Sequence, residues 1–122
     1  PLPKARAILG DDFIIGATAN TLDDIRSASA AGADYIGLGP FRFTTTKKGL
    51  APLLGLDGYT RLMTAARAEG ITLPVVAIGG ITVADLPKLR RTGVSGVAVS
   101  GLILTADDKE SITKKILESW IN

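Results

Sequence analysis

Two glycine-bearing segments of the chain could bind an anion. Gly79 and Gly80 open the segment Gly-Gly-Ile-Thr, Ser100 and Gly101 form a second short turn, and each segment directly follows an apolar run. Glycine lets the backbone approach a ligand closely, and free N–H groups at the start of a helix attract negative charge. The alternative is that Gly-Gly only makes a tight turn. Two such turns on neighbouring strands favour a phosphate site.

A longer polar segment follows the second apolar run and contains Thr44, Thr45, Thr46 and Lys47. Loops from a strand to a helix usually have about two to six residues, and longer ones are often lids or binding loops. Three hydroxyl groups beside one lysine suit a phosphate or a diphosphate. The alternative is a surface loop with solvated lysines. Thr18 follows the first apolar run and could also contact the ligand.

The residue types that are missing exclude several chemistries. The chain has no cysteine and no histidine, which removes disulfides, thiolate nucleophiles, Ser-His-Asp triads and histidine-based metal sites. No lysine lies within an apolar run, which disfavours a Schiff-base aldolase. We also expect none of the aspartates that precede apolar runs or start helices to bind a metal: Asp11, Asp12, Asp34, Asp24, Asp85, Asp107 and Asp108. The residues alone thus indicate binding of a phosphorylated small molecule and name no reaction.

Four short apolar runs alternate with helical patterns and predict an α/β protein. The runs are nearly continuous, as expected of parallel strands buried on both faces, and they cover residues 13–17, 35–39, 75–78 and 96–99. Thr21 with Asp24, and Thr82 with Asp85, predict capping boxes. The helices that follow should end near glycines. The last helix should begin near Asp107 or Asp108 and bury Ile112, Ile116, Leu117 and Trp120.

The first half of this pattern repeats in the second half. A shift of 61 positions maps Ile14-Ile15 onto Val75-Val76, Thr21 onto Thr82, Gly32 onto Gly93 and Ile36 onto Val97. We interpret this as one βαβα module used twice. Two such modules make half of a (β/α)8 barrel. An open four-stranded sheet is the alternative.

Length and charge place the chain among small globular domains. It has 122 residues and a formal net charge of +2, with basic residues scattered along the sequence. We therefore expect no nucleic-acid partner. The longest apolar runs are far too short to span a membrane, and no signal peptide opens the chain, so we expect a cytoplasmic protein. The chain has no initiating methionine, which is consistent with a piece of a longer protein.

Three segments together resemble the C-terminal half of the thiamine phosphate synthase family. They are GADYIGLGPFRFTTTKKG (residues 32–49), LPVVAIGGIT (73–82) and GVSGVAVSG (93–101). The most specific element is the GP-x3-T-x-T-K loop followed at the right distance by IGGI. The resemblance implies half of a TIM (β/α)8 barrel, with residues 11–122 forming the four βα units of strands five to eight and residues 1–10 ending the preceding helix.

The resemblance also implies an activity in thiamine biosynthesis. The family joins 4-amino-2-methyl-5-pyrimidinylmethyl diphosphate to thiazole phosphate, releases diphosphate and needs Mg2+. The metal ligands are expected in the N-terminal half, so this chain alone is expected to be inactive. Exposed sheet edges would then favour a homo-oligomer or another association through those edges. The partners implied are phosphorylated small molecules, with no membrane.

The resemblance assigns roles to individual residues. Thr44 and Thr46 match the threonines on the thiazole phosphate side, and Lys47 matches the lysine that holds the leaving diphosphate, which makes it the catalytic candidate. Gly80, Ser100 and Gly101 match the pocket for the thiazole phosphate. Thr45 departs from the family's usual proline or glutamate, and Thr18 stands where a serine is common on the diphosphate side.

Three other functions remain open at this stage. One is another phosphate-binding barrel enzyme, such as an epimerase or a tryptophan-pathway enzyme. A thiazole tautomerase-like protein would share the phosphate pocket, but it relies on a histidine where this chain has Asn20. A non-catalytic domain that binds a phosphorylated ligand would need only the glycine turns.

Overall fold

The structure is a computed structural model that describes residues 1–42 and 53–121. Within these ranges helices and short strands alternate along the chain. The strands are β1 (Gly16–Ala19), β2 (Tyr35–Leu38), β3 (Val75–Ile78) and β4 (Gly96–Ala98). The α-helices are α1 (Leu2–Leu9), α2 (Leu22–Ala30), α3 (Gly55–Ala68), α4 (Leu86–Arg91), α5 (Gly101–Leu104) and α6 (Lys109–Ile121), and a 3-10 turn (Val83–Asp85) precedes α4.

The four strands form one parallel sheet in the order β1-β2-β3-β4. Gly37 of β2 pairs with Thr18 of β1 on one side and with Val76 of β3 on the other. Consecutive strands are therefore neighbours throughout. Each connection that the structure describes runs from the carboxyl end of one strand to the amino end of the next. The predicted α/β class is confirmed. That the sheet is half of an eight-stranded barrel stays a prediction.

One face of the sheet holds the core. Ile36, Leu38, Val75 and Ala77 are fully buried beneath the helices. The alternate residues point to the other face, where Tyr35 remains 40% exposed and Ile78 remains 38% exposed. The sequence predicted strands buried on both faces, but the residues that the structure describes cover only one.

Both predicted capping boxes are present. The Thr21 hydroxyl accepts from the N–H of Asp24 at 3.1 Å, and the Asp24 carboxylate accepts from the N–H of Thr21 at 3.1 Å. Thr82 and Asp85 form the second capping box at the 3-10 turn before α4, where the Asp85 carboxylate accepts from the N–H and from the hydroxyl of Thr82, each at 2.8 Å. Each box satisfies N–H groups that the first turn of a helix leaves without a partner.

The repeat is real, but its offset changes along the module. Ala17 pairs with Ile36 and Ala77 pairs with Val97, so residues of β1 recur in β3 after 60 positions while those of β2 recur in β4 after 61. One extra residue therefore stands between the end of β3 and its helix cap. The sequence prediction that β1 covers residues 13–17 was also wrong, because β1 is Gly16–Ala19 and Ile14, which is 79% exposed, lies before the strand.

Helix α6 also differs from its sequence prediction at one position. Ile116 is buried, and Ile112 and Trp120 pack against the core. Leu117 was expected to be buried as well, but it is 57% exposed. Its direction on the helix points away from the stripe formed by the other three, since residues 112, 116 and 120 follow each other at intervals of four.

An ion pair ties α1 to the amino ends of the strands. The Arg6 guanidinium donates to the Asp34 carboxylate at 2.8 Å and to the carbonyl of Phe13 at 2.6 Å. The same carboxylate accepts from the N–H of Ile15 at 2.7 Å. Asp34 thus has a structural role at the amino ends of the strands, which is the end of the sheet opposite to the glycine turns.

We expect the fold to lose stability when the pH falls below about 4. Hydrogen bonds from Arg6 lower the pKa of Asp34, those from Arg26 lower the pKa of Glu69, and the N–H of Asn20 is the main cause that lowers the pKa of Asp24. A carboxyl group whose pKa is lower in the folded state stabilises the fold above its unfolded pKa, and this contribution is lost as the pH falls through the folded pKa. Thermal unfolding followed by circular dichroism should show a constant Tm between pH 7 and 5 and a falling Tm below pH 4. A Tm that stays constant down to pH 3 would contradict this.

Candidate functional site

The candidate segments follow the carboxyl ends of the four strands, which all lie at the same end of the sheet. Leu38 pairs with Ala19 and Ala77, and Ile78 pairs with Ala98. The segments that directly follow these residues therefore leave the sheet side by side. Ligands of parallel α/β proteins bind at this end.

The segment after β2 is hydrogen-bonded to the glycine turn after β3. We call residues 39–42 the β2 stem and residues 79–81 the glycine turn. In the stem, the N–H of Phe41 donates to the carbonyl of Ile78 at 3.1 Å, and the N–H of Arg42 donates to the carbonyl of Gly79 at 3.0 Å. The two segments therefore continue the contact of β2 with β3 beyond the sheet.

Both glycines of the turn are required by its shape. Gly79 and Gly80 have positive φ angles of 102° and 69°, which side chains disfavour. A Cβ on Gly79 would lie 2.8 Å from the Cβ of Pro40, and one on Gly80 would lie 2.5 Å from the Cγ of Arg42. The absence of side chains is what lets the stem approach the turn.

The glycine turn presents backbone donors. No acceptor among residues 1–42 and 53–121 takes the N–H of Gly80 or of Ile81. The same holds, within these ranges, for Gly101, the first residue of the short helix α5. Neighbouring N–H groups without a protein partner are the donors that bind phosphate oxygens in many proteins.

An ion pair that the sequence did not reveal lies beside the turn. The Arg42 guanidinium donates to both carboxylate oxygens of Asp85, at 2.7 and 3.1 Å, and to the carbonyl of Gly80 at 2.7 Å. Burial raises the pKa of Asp85, but the hydrogen bonds from Arg42 and Thr82 outweigh it, and the net pKa lies below its ordinary value. Asp85 therefore carries a negative charge that Arg42 neutralises.

Tyr59 is a second residue whose position could not be predicted. Its ring is fully buried, and its hydroxyl donates to the carbonyl of Leu38 at 2.5 Å and lies 3.4 Å from the carbonyl of Ile78. Burial raises the pKa of this phenol, so it stays protonated. Tyr59 thus fixes α3 to the carboxyl ends of β2 and β3. Leu62, Ala65 and Ala66 follow it at helical spacing in the sequence, which indicates burial of this helix face and not a hydrogen bond.

The other side of the β2 stem is held by Asn20. Its side-chain amide donates to the carbonyl of Gly39 at 2.8 Å. The backbone N–H of Asn20 donates in turn to the Asp24 carboxylate at 2.9 Å. The turn after β1 and the turn after β3 are therefore both attached to the stem between them.

Comparison with known proteins identifies the relatives of this arrangement. Residues 1–103 match the family described as Thiamine monophosphate synthase. The chain belongs to this family. It is 56% identical over 117 residues to the thiamine-phosphate synthase of Bacteroides fragilis, covering 96% of this chain and 57% of the relative. It is 48% identical over 117 residues to that of Flavobacterium johnsoniae, covering 96% of this chain and 55% of the relative.

A solved structure of the family has the same fold. The thiamine phosphate pyrophosphorylase from Pyrococcus furiosus superimposes with a TM-score of 0.85 at 31% identity, covering 99% of this chain and 55% of that one. The present chain thus spans a little over half the length of the curated thiamine-phosphate synthases that it matches. The family membership stated from the sequence segments is confirmed.

The structure places only some of the residues that the family resemblance singled out. Gly80 follows the carboxyl end of β3, and Ser100 and Gly101 follow the carboxyl end of its neighbour β4. Thr18 was expected in a loop, but it lies within β1, exposed on the uncovered face. The carbonyl of Ser100 accepts from the N–H groups of Ile103 and Leu104 in α5, and its side chain does not cap the helix. The loop candidates lie outside the described residues: Thr44, Thr45, Thr46 and Lys47.

The carboxylates of the described residues do not form a metal site. No group of three or more histidines, cysteines, aspartates or glutamates that could hold an ion occurs in residues 1–42 and 53–121. Asp24 and Asp85 cap helices, as the sequence predicted. Within the same ranges no helix is long and apolar enough to cross a membrane.

Proposed function

We propose that this chain is part of a transferase that couples 4-amino-2-methyl-5-pyrimidinylmethyl diphosphate to thiazole phosphate, giving thiamine phosphate and diphosphate. In this proposal the chain supplies the half of the site that binds the thiazole phosphate. The observation that carries it is the glycine turn, whose N–H groups at Gly80 and Ile81 have no acceptor among the described residues. The turn follows β3, which pairs with β4, the strand that precedes Gly101. Membership of the thiamine phosphate synthase family supports the substrate class.

The proposed reaction needs stabilisation of charge more than transfer of a proton. The bond between the pyrimidine methylene carbon and the diphosphate oxygen breaks, and the diphosphate leaves with the electron pair. The thiazole nitrogen then attacks the pyrimidine cation and forms the new C–N bond. Groups that are fixed before the reaction stabilise such charges efficiently. A chain without histidine is compatible with this chemistry.

Each candidate residue has a place in this scheme. Gly80, Ser100 and Gly101 bind the phosphate of the thiazole through backbone N–H groups. Thr44, Thr45 and Thr46 extend this pocket, and Lys47 neutralises the leaving diphosphate. Thr18, on the exposed face of β1, contacts the diphosphate side.

Magnesium is proposed as a cofactor whose ligands lie outside this chain. The donor set of the described residues does not fit it, because the carboxylates are spread over helix caps and surface ion pairs. We therefore derive no step through the metal. In the proposal its ligands belong to the part of the family's length that this chain does not span.

Formation of product tests the proposed function. The chain is co-expressed with the part of the Bacteroides fragilis synthase that the match does not cover, and the purified complex is given both substrates with Mg2+. We expect thiamine phosphate and diphosphate from the complex and no product from the 122-residue chain alone. A complex that assembles and binds thiazole phosphate but forms no product would favour a non-catalytic phosphate-binding domain. A thiazole isomer as the sole product would favour a tautomerase.

We expect the isolated chain to associate with itself. β1 and β4 are the edges of the sheet that the described residues form, and unpaired edges readily take up another strand. In the repeat β4 corresponds to β2 and β1 corresponds to β3, and β2 pairs with β3 in parallel. We therefore expect β4 of one copy to pair with β1 of another copy in the same way. Analytical ultracentrifugation should show dimers or larger species at micromolar concentrations. A single monomeric species would contradict this prediction.

A further inference from the structure

Arg42, in the β2 stem, is hydrogen-bonded to two carbonyl groups of the glycine turn and forms an ion pair with Asp85. The backbone N–H of Arg42 donates to the carbonyl of Gly79 at 3.0 Å. Its guanidinium donates to the carbonyl of Gly80 at 2.7 Å and to the carboxylate of Asp85 at 2.7 and 3.1 Å. One residue thus holds the two consecutive carbonyl groups of the turn.

Holding these two carbonyls also directs two N–H groups. A trans peptide is planar, with its C=O and N–H pointing in opposite directions, and the only cis peptide among the described residues is Gly39-Pro40. The carbonyl of Gly79 shares a plane with the N–H of Gly80, and the carbonyl of Gly80 shares one with the N–H of Ile81. Because Arg42 holds both carbonyls, both N–H groups point away from it, and these are the donors without an acceptor in the described ranges.

The first module shows that Asp85 does not need an arginine to cap its helix. Asp24 occupies the equivalent position and accepts from the N–H groups of Asn20 and Thr21 at 2.9 and 3.1 Å. No salt bridge within the described residues involves Asp24. Pairing with Arg42 is therefore an addition to the capping role of Asp85. It occurs at the turn after β3, which contains consecutive glycines, and not at the turn after β1, which contains none.

Arg42 restricts the shape of the glycine turn and does not supply it with positive charge. The Asp85 carboxylate neutralises the guanidinium, and the aliphatic part of Arg42 lies so close to Gly80 that a Cβ there would be 2.5 Å from Cγ. A glycine-rich turn with positive φ angles has many conformations open to it. A planar guanidinium fork bound at both ends restricts that freedom.

We propose that Arg42 is a positioning residue that aims the N–H groups of Gly80 and Ile81 at a phosphate, and that Asp85 holds the guanidinium in place for this purpose. The proposal rests on the proposed function for the identity of the phosphate. It adds to that function a residue that contacts neither the substrate nor the metal. This residue sets the affinity of the glycine turn for the phosphate.

The matched control for this pair is present in the chain. Arg26 also forms a bidentate ion pair, donating to Glu69 at 2.8 and 2.6 Å between α2 and the C-cap of α3, and it donates to Asp23 as well. Arg26→Gln removes an equal charge and a bidentate ion pair without touching the turn. Asp85→Asn tests the other partner of the pair, and Asp24→Asn is its control, because it perturbs a cap of the same type.

The first measurement is the mobility of the turn without ligand. Backbone 15N relaxation of the 122-residue chain should give rigid order parameters, about 0.85, for Gly80 and Ile81, and Arg42→Gln should lower them towards about 0.6. Arg26→Gln should leave them unchanged. Order parameters that are the same in wild type and Arg42→Gln would overturn the proposal, whether or not the chain binds any phosphate.

The second measurement is affinity for thiazole phosphate and for inorganic phosphate. We expect Arg42→Gln and Arg42→Lys each to weaken binding of thiazole phosphate at least fivefold, because a lysine keeps the charge but cannot span Asp85 and the Gly80 carbonyl with a planar fork. The ratio of affinities should persist in 0.5 M salt, where the attraction between exposed charges is largely screened. Full affinity in Arg42→Lys, or a loss that vanishes in salt, would show a role of charge alone and overturn the proposal. Wild-type protein that binds neither phosphate would contradict the proposed function instead, and the order parameters would still decide the role of Arg42.

Discussion

Replacing Lys47 by alanine in the complex with the complementary part of the Bacteroides fragilis synthase should lower turnover at least about tenfold, which corresponds to ~1.4 kcal/mol of lost transition-state stabilisation. In the proposed reaction the diphosphate leaves with a full electron pair, and a fixed cation beside it stabilises the charge that develops. The effect should fall on kcat more than on the KM for thiazole phosphate, since the charge on the diphosphate increases in the transition state. Steady-state kinetics with both substrates measures this separation.

The neighbouring residue provides the control for this prediction. Lys48 has the same charge and almost the same position in the sequence, so Lys48→Ala should retain turnover within about twofold if the role of Lys47 is specific. Unchanged turnover in Lys47→Ala would remove this residue from the site. Equal losses in both variants would indicate that only the total charge of the loop matters.

Gly39→Ala should destabilise the protein by about 3 kcal/mol, the largest effect that we expect from a single methyl group. A Cβ at Gly39 would collide with the carbonyl oxygen of Ile78 and would lie 2.9 Å from its Cγ2. The first of these atoms belongs to the backbone of β3, so it cannot move aside without separating the two strands. The same shift would disturb the β2 stem and the glycine turn that it contacts.

Gly37→Ala is the matched control, two residues earlier in the same strand. Nothing lies within 4 Å of a Cβ at Gly37, so we expect a change in stability below about 1 kcal/mol. Urea unfolding of both variants, analysed for the free energy of unfolding, makes the comparison. Equal stability of the two variants would contradict the close approach of β2 and β3 at this point.

The elements that depend on local sequence could be predicted. β3 begins and ends where its apolar run does, and both capping boxes form because a threonine and an aspartate three residues later satisfy each other's N–H groups. The helix ends at Gly32 and Gly93 follow from the positive φ angles that glycine allows. The glycine turns were also predicted as the anion site, and that assignment stays a prediction.

The features that could not be predicted depend on contacts between distant residues. Arg42 and Asp85 are 43 positions apart, and no spacing rule connects a loop arginine with a helix cap. The start of β1 was misplaced because the apolar residues Phe13 and Ile14 resemble strand residues, although they precede the sheet and remain exposed. Periodicity tells which side chains are apolar, while the partner surface decides which of them are covered.

An amide NMR titration of the 122-residue chain with thiazole phosphate, with inorganic phosphate as the control, tests the central claim most directly. We expect the resonances of Gly80, Ser100 and Gly101 to shift with thiazole phosphate at concentrations where inorganic phosphate has little effect. We also expect shifts at Thr44 and Lys47. Equal responses to both ligands, or no response in a chain whose spectrum shows it folded, would contradict the claim that these turns form the thiazole phosphate site.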